Sequence, residues 1–312
     1  MESFLIAFNA VFPFIFYMGF GMIARKSGVV TEEFLSKITK MVFALFFPFL
    51  MFKNVYWADA SGESNVFFVG FALVSVIAVI LLSMLVVPRF VHERPKQGVI
   101  VQALYRSNIA LFLIPMGENL YGEKSSILAA LLVAFIIPVF NVAAILILEY
   151  YRGGSAKPSV LVKKVVTNPL IIGVVIGVVF KAFSIPVPGY VAKPVRALAD
   201  MVTPLCLFAL GGTLHFSSVR KNMPILVPTC LMRMVGLPIL MYAIMMFLPF
   251  SPMERFMLFL LFATPVATSS YPMAAAMGGD GPLAGELVVI TNVFSLVTLF
   301  LFIFGFSAFG LL

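Results

Sequence analysis

Ser107-Asn108-Ile109-Ala110-Leu111-Phe112-Leu113-Ile114-Pro115 and Thr264-Pro265-Val266-Ala267-Thr268-Ser269-Ser270-Tyr271-Pro272 each set polar side chains and a proline inside a long apolar run. Proline has no amide donor and clashes one turn back, so it interrupts or kinks a helix, yet it suits the first turn of a new one. Alone, each would read as a passive kink. The two are 157 residues apart, however, and seven residues beyond them come Gly122-Glu123 and Gly279-Asp280. An offset of 156 relates Pro13 to Pro169, followed eight residues later by Gly21 and Gly177, and it also relates Pro48 to Pro204. One offset recurring with matching neighbours predicts an internal repeat rather than scattered prolines.

Around these stretches the chain is 312 residues long, 62% hydrophobic and 11% charged, with a mean hydropathy of +1.10. Soluble domains carry about 25% charged residues, so this chain belongs in a bilayer. A soluble enzyme, a nucleic-acid binder and a disulfide scaffold are excluded. Cys206 and Cys230 fall in apolar stretches and read as packing residues, with no metal site implied. About 20 apolar residues cross a membrane as helix, and the runs 3–24, 66–87, 127–148, 256–279 and 287–312 qualify without help. The first has no basic residue ahead of it and no cleavage pattern, so it is expected to remain as helix 1 rather than be a signal peptide. The weaker runs 38–57, 99–120, 165–183, 198–215 and 225–248 bring the expected count to ten.

Residues 1–150 then form a first repeat (helices 1–5), 151–164 a cytoplasmic linker and 165–312 a second repeat (helices 6–10). Five is odd, so the second repeat enters from the opposite side. The expected fold class is an all-α integral membrane protein of two inverted five-helix repeats, with helices 4 and 9 broken. Repeats of this kind recur in secondary transporters, whose substrate sits where discontinuous helices meet. Of the 21 Lys and Arg, 13 fall in loops after odd-numbered helices and 6 after even-numbered ones; the other two are Arg106 and Arg233. Basic loops face the cytoplasm, which places both termini of a multi-pass cytoplasmic-membrane protein outside the cell.

At these same residues the sequence resembles the auxin efflux carrier family. The pieces are Pro13-Phe14-Ile15 with Gly19 and Gly21, Leu45-Phe46-Phe47-Pro48, Ser107-Asn108-Ile109-Ala110 through Pro115 to Tyr121-Gly122, Thr167-Asn168-Pro169-Leu170, Pro204-Leu205 with Leu210-Gly211-Gly212, and Pro265 through Pro272. Their order and spacing cover essentially the whole chain. The resemblance implies a scaffold and a transport domain, crossed broken helices at the centre, and elevator-like alternation that moves small organic anions such as malonate, malate or auxin. The long cytoplasmic loop of the plant exporters is absent. Residues 66–87 hold none of the acidic residues that support the plant auxin site.

The candidate substrate-binding residues are Asn108, Pro115, Asn141, Arg233, Thr268, Ser269, Ser270, Pro272 and Asn292. Asn108 matches the family's substrate-contacting asparagine; a structural bond to the broken backbone is its other reading. Thr268, Ser269 and Ser270 suit helix capping equally well, and Asn141 and Asn292 suit hydrogen bonds between helices. Arg233 lies at functional depth unless it snorkels to an end of its helix. Arg106 suits a cytoplasmic mouth, and His92 and His215 suit the interface. Both new half-helices are expected to start near Pro115 and Pro272 and to present positive N-terminal ends, partly offset by the negative ends of the preceding halves. The donors Asn108, Ser269, Ser270 and Arg233, with no acid at mid-depth, then favour an anion. No catalytic dyad, metal ligand set or cofactor motif is read. The expected contacts are a small organic anion and membrane lipids, with a homodimer admitted and no nucleic acid. The alternatives are a cation-coupled (proton or sodium) symporter or exchanger, weakened because Glu118, Asp200 and Glu286 lie near span ends, and a non-transporting membrane sensor.

Overall fold

The computed structural model describes residues 2–57, 66–122, 124–152, 167–214 and 216–308. His215 and residues 153–164 of the expected linker lie outside them. The described residues form helices, with no strand beyond one isolated bridge. In chain order these are α1 (Glu2–Lys26), α2 (Glu32–Met41), α3 (Phe47–Tyr56), α4 (Val66–Phe90), α5 (Arg94–Tyr105), α6 (Ile109–Tyr121), α7 (Lys124–Tyr151), α8 (Pro169–Ala182), α9 (Gly189–Asp200), α10 (Val202–Thr213), α11 (Phe216–Leu231), α12 (Leu237–Met245), α13 (Pro252–Ala263), α14 (Ser270–Ala276) and α15 (Gly281–Ala308).

Among the described residues six helical segments are long and apolar enough to cross a membrane: Glu32–Tyr56, Val66–Phe90, Ser125–Tyr151, Gly189–Thr213, Ser218–Met245 and Gly281–Ala308. The first runs α2 into α3 through the π turn Val42–Phe46, and the fifth runs α11 into α12 through Met232–Gly236. A proline stands just after each π turn, Pro48 and Pro238. Its missing donor and ring clash are relieved by one extra residue in the turn before it. α4 buries Phe68, Ala72, Val76 and Val79 and turns Val74, Leu81, Leu82 and Leu85 outward. An apolar outer face of that size belongs against lipid.

Glycines set two close helix pairs. A Cβ on Gly21 of α1 would strike the Phe208 carbonyl oxygen of α10, and one on Gly211 would strike that of Met18. A Cβ on Gly177 of α8 would come within 3.2 Å of the Phe52 carbonyl oxygen of α3, and one on Gly173 would strike that of Pro48. Without a side chain the backbones approach to van der Waals distance, which is how helices associate where lipid competes for apolar contact.

Two runs break where polar residues sit, and here the sequence expectation needs correction. α5 ends at Tyr105 and α6 opens at Ile109, so Pro115 lies inside α6 rather than at its start. α13 ends at Ala263 and α14 opens at Ser270, with Pro272 in its first turn. Pro272 is tolerated because first-turn amides have no intrahelical partner. Pro115 costs one bond within an otherwise continuous helix, and the interruption is held instead by pairing between the two extended segments.

Candidate functional site

Three residues carry the first break. Arg106 is extended (φ −90°, ψ 106°) and caps the end of α5, while Asn108 (φ −87°, ψ 53°) is the N-cap of α6. Opposite them Thr264 leaves α13 extended (φ −73°, ψ 151°). The two segments cross as an antiparallel bridge between Ser107 and Val266. The Asn108 amide donates to the Pro265 carbonyl (2.8 Å), and the Ala267 amide donates to that of Arg106 (3.2 Å). Backbone groups freed by one interruption are thus satisfied by the other, as a buried backbone requires. α15 adds two bonds: Thr291 Oγ1 accepts from the Val266 amide (3.2 Å), and Asn292 Nδ2 donates to the Val266 carbonyl (3.4 Å).

Two arginines flank this crossing in different roles. Arg233, 0% exposed, comes from the π turn before α12. It donates to the carbonyls of Phe262 (2.8 Å), Thr264 (2.7 Å) and Leu104 (3.4 Å) and to Ser107 Oγ. It therefore serves the C-terminal ends of α5 and α13 together. Arg106, 3% exposed, shares none of these partners. Nη2 donates to Asn141 Oδ1 (2.6 Å) and Ser269 Oγ (2.8 Å), and Nη1 meets Met273 Sδ. All these partners are neutral. A buried cation without a counter-charge carries a desolvation penalty of several kcal/mol, which neutral acceptors offset only in part.

The Arg106 side opens on a cavity of about 290 Å³ whose lining includes Asn108, Asn141, Thr268 and Ser269. Lys53 and Asp200, paired with each other, stand on its more exposed side and cancel in charge. Asn108 is 7% exposed, and its Nδ2 has no hydrogen-bond partner among the described residues. A buried amide donor left unpaired costs about 1–3 kcal/mol, so a ligand acceptor placed there would recover free energy.

Four of the nine sequence candidates thus meet at one cavity: Asn108, Asn141, Thr268 and Ser269. The other five stand apart. Pro115 is exposed on α6, and Pro272 and Ser270 are buried in α14. Asn292 borders an apolar groove with Gly19, Met22 and Leu207. Arg233 is consumed by carbonyls behind the crossing. Arg106 is the residue that sequence reasoning placed elsewhere, at a membrane mouth. The signal was present, because Arg106 and Arg233 are the two basic residues left over when loops are counted.

A second cavity, about 600 Å³, lies against the other side of α14. Thr39, Lys40, Thr213, Lys221, Tyr271 and Glu286 are among its lining residues. The Tyr271 and Thr213 hydroxyls are 3.2 Å apart there, and Asn222 Nδ2 donates to Glu286 Oε2 at 2.7 Å. Among the described residues no group of three or more His, Cys, Asp or Glu gathers to hold a metal ion.

Comparison with known proteins adds two findings. Residues 6–303 match the family model described as membrane transport protein. A curated relative from Methanothermobacter thermautotrophicus, named an uncharacterized transporter, is 24% identical over 285 residues, covering 89% of this chain and 91% of the relative.

Proposed function

The chain belongs to the membrane transport protein family, that of the auxin efflux carriers, and on that premise we propose that it is a secondary carrier holding a small organic anion at the crossing of its two broken helices. It is a transporter and not an enzyme. The observation that carries the reading is Arg106, a buried guanidinium at the cavity whose partners among the described residues are all neutral. A substrate carboxylate would supply the missing counter-charge, and charge-assisted bonds of this kind are the strong ones. Asn108 Nδ2 offers a second donor at the start of α6, where the helix dipole adds positive potential.

The same reading has ten spans in two inverted repeats, 1–150 and 165–312, joined by a cytoplasmic linker, with both termini extracytoplasmic and access alternating between the two cavities. Support comes from the glycine contacts. Gly21 and Gly177 are 156 apart, as are the Phe52 and Phe208 carbonyls. Gly21 meets Phe208 while Gly177 meets Phe52, the exchange of partners expected of halves related by a two-fold axis.

A second reading, cation coupling, is favoured by Glu286. It is 1% exposed, has a neutral carboxamide donor, and borders the second cavity. Although it stands near the start of its span, a buried ionisable group on a spanning helix that faces a cavity is the kind of residue that marks a coupling-ion path.

One experiment tests both readings: uptake and counterflow in proteoliposomes against a panel of dicarboxylates, monocarboxylates and indole acids, each paired with its neutral amide. Carboxylates should be transported and their amides not. Transport confined to neutral or cationic solutes would reject the anion carrier. Uptake that requires an imposed sodium or pH gradient would favour coupling.

A further inference from the structure

The anion reading leaves one physical difficulty, and Arg233 answers it. Wherever a helix is interrupted, a negative C-terminal end faces the positive N-terminal end of the next piece, so two breaks bring two negative ends to the crossing. Each end is worth roughly half an elementary charge, so the two negative ends would cancel the two positive ends that face them and leave the breaks with no net pull on an anion. Resting on the carrier reading above, we propose that Arg233 is the residue that sets the charge selectivity of the site, by neutralising the C-terminal ends of α5 and α13 from behind.

The geometry fits this role in three respects. Nη1 takes Phe262 and Leu104, one carbonyl from each interrupted helix, and Nη2 takes Thr264 beside Ser107 Oγ. One side chain therefore reaches both negative ends, and its single positive charge matches their sum of about one. Arg233 is fully buried and does not line the substrate cavity, so its influence on a ligand there is electrostatic rather than by contact. The guanidinium also has the right shape. Its planar fork addresses several acceptors at fixed angles, which a lysine ammonium on one flexible stem cannot do. With the two negative ends neutralised, the positive start of α6 is no longer cancelled and adds to Arg106 in favour of an anion. Arg233 is thus a positioning residue for the field.

The test uses the full-length chain in proteoliposomes, with radiolabelled malonate and, in parallel, indole-3-acetate as probes. Wild type, R233Q and R233K are compared for KM and Vmax, with unfolding temperature in detergent read on the same preparations. R233Q should raise KM for carboxylate probes about tenfold or more with a smaller change in Vmax. R233K loses the fork, and with it some stability, but keeps the positive charge behind the two helix ends, and because the field follows the charge it should hold KM within about threefold of wild type. An R233Q KM equal to wild type would overturn the proposal. So would an R233K variant as impaired as R233Q, the result expected if Arg233 only ties helices together. If R233Q yields no folded protein, R233K decides alone, with KM inside threefold supporting the proposal and a tenfold loss rejecting it. A wild type that transports no carboxylate of either class rejects the underlying carrier reading instead, and is told apart because it precedes any variant.

Discussion

Asn108 and Arg106 divide the work of recognition in a way that single substitutions should separate. Removing the Asn108 amide deletes one unpaired donor, so Asn108→Ala is expected to weaken carboxylate affinity by about 1–3 kcal/mol, measured as a rise in KM with little change in unfolding temperature. Arg106→Gln deletes the counter-charge, and its loss should be larger and specific to anions, whereas Arg106→Lys should recover part of it. Equal KM values for wild type and Asn108→Ala would remove that side chain from the site. Asn108 was legible in the sequence because an asparagine amid apolar residues must find a partner. Arg106 was assigned to the cytoplasmic mouth instead, because it precedes the break. Only the turn of the chain at Ser107 shows that its side chain points into the protein. Asn292 illustrates the reverse: a polar residue at the right depth whose amide serves the Val266 carbonyl.

At the level of helices, the apolar runs overlap all six segments long and apolar enough to cross a membrane among the described residues, while the interruptions were placed less well. Run 66–87 and α4, for example, nearly coincide. Helix 7 was expected from 198, whereas α9 starts at Gly189 and continues into α10, because Lys193 and Arg196 lowered the hydropathy of a stretch that is helical nonetheless. Arg196 stacks over the Trp57 ring at 4.2 Å, an interaction invisible to a window average. The proline rule failed at Pro115 because the break is stabilised by partners over 150 residues away. The glycine pattern is more dependable, and it yields a prediction. Gly211→Leu should block the approach of α1 to α10 and lower stability by about 1–3 kcal/mol or more, the usual cost of overpacking. Gly70→Leu, where a Cβ meets nothing within 4 Å, should leave the unfolding temperature nearly unchanged. Similar losses for both would disprove the close-packing account.

For the molecule as a whole, the orientation can be read from two exposed positions. His92 follows α4, in a loop expected to be cytoplasmic, and Ser184 follows α8, in one expected to be outside. Cys206 and Cys230 are 2% and 5% exposed, so background labelling should be low. A membrane-impermeant maleimide added to intact cells should modify Ser184→Cys and spare His92→Cys; the opposite pattern would invert the topology. The bridge at the centre also bears on how such a chain is made. The amide of Asn108 bonds to the Pro265 carbonyl, 157 residues later in the sequence. At synthesis rates of about 5–20 residues per second, the first break waits roughly 8–30 s for its mate. During biogenesis the nascent first half therefore holds its polar backbone in reserve, shielded by water or by the insertion machinery, until the second break has been synthesised.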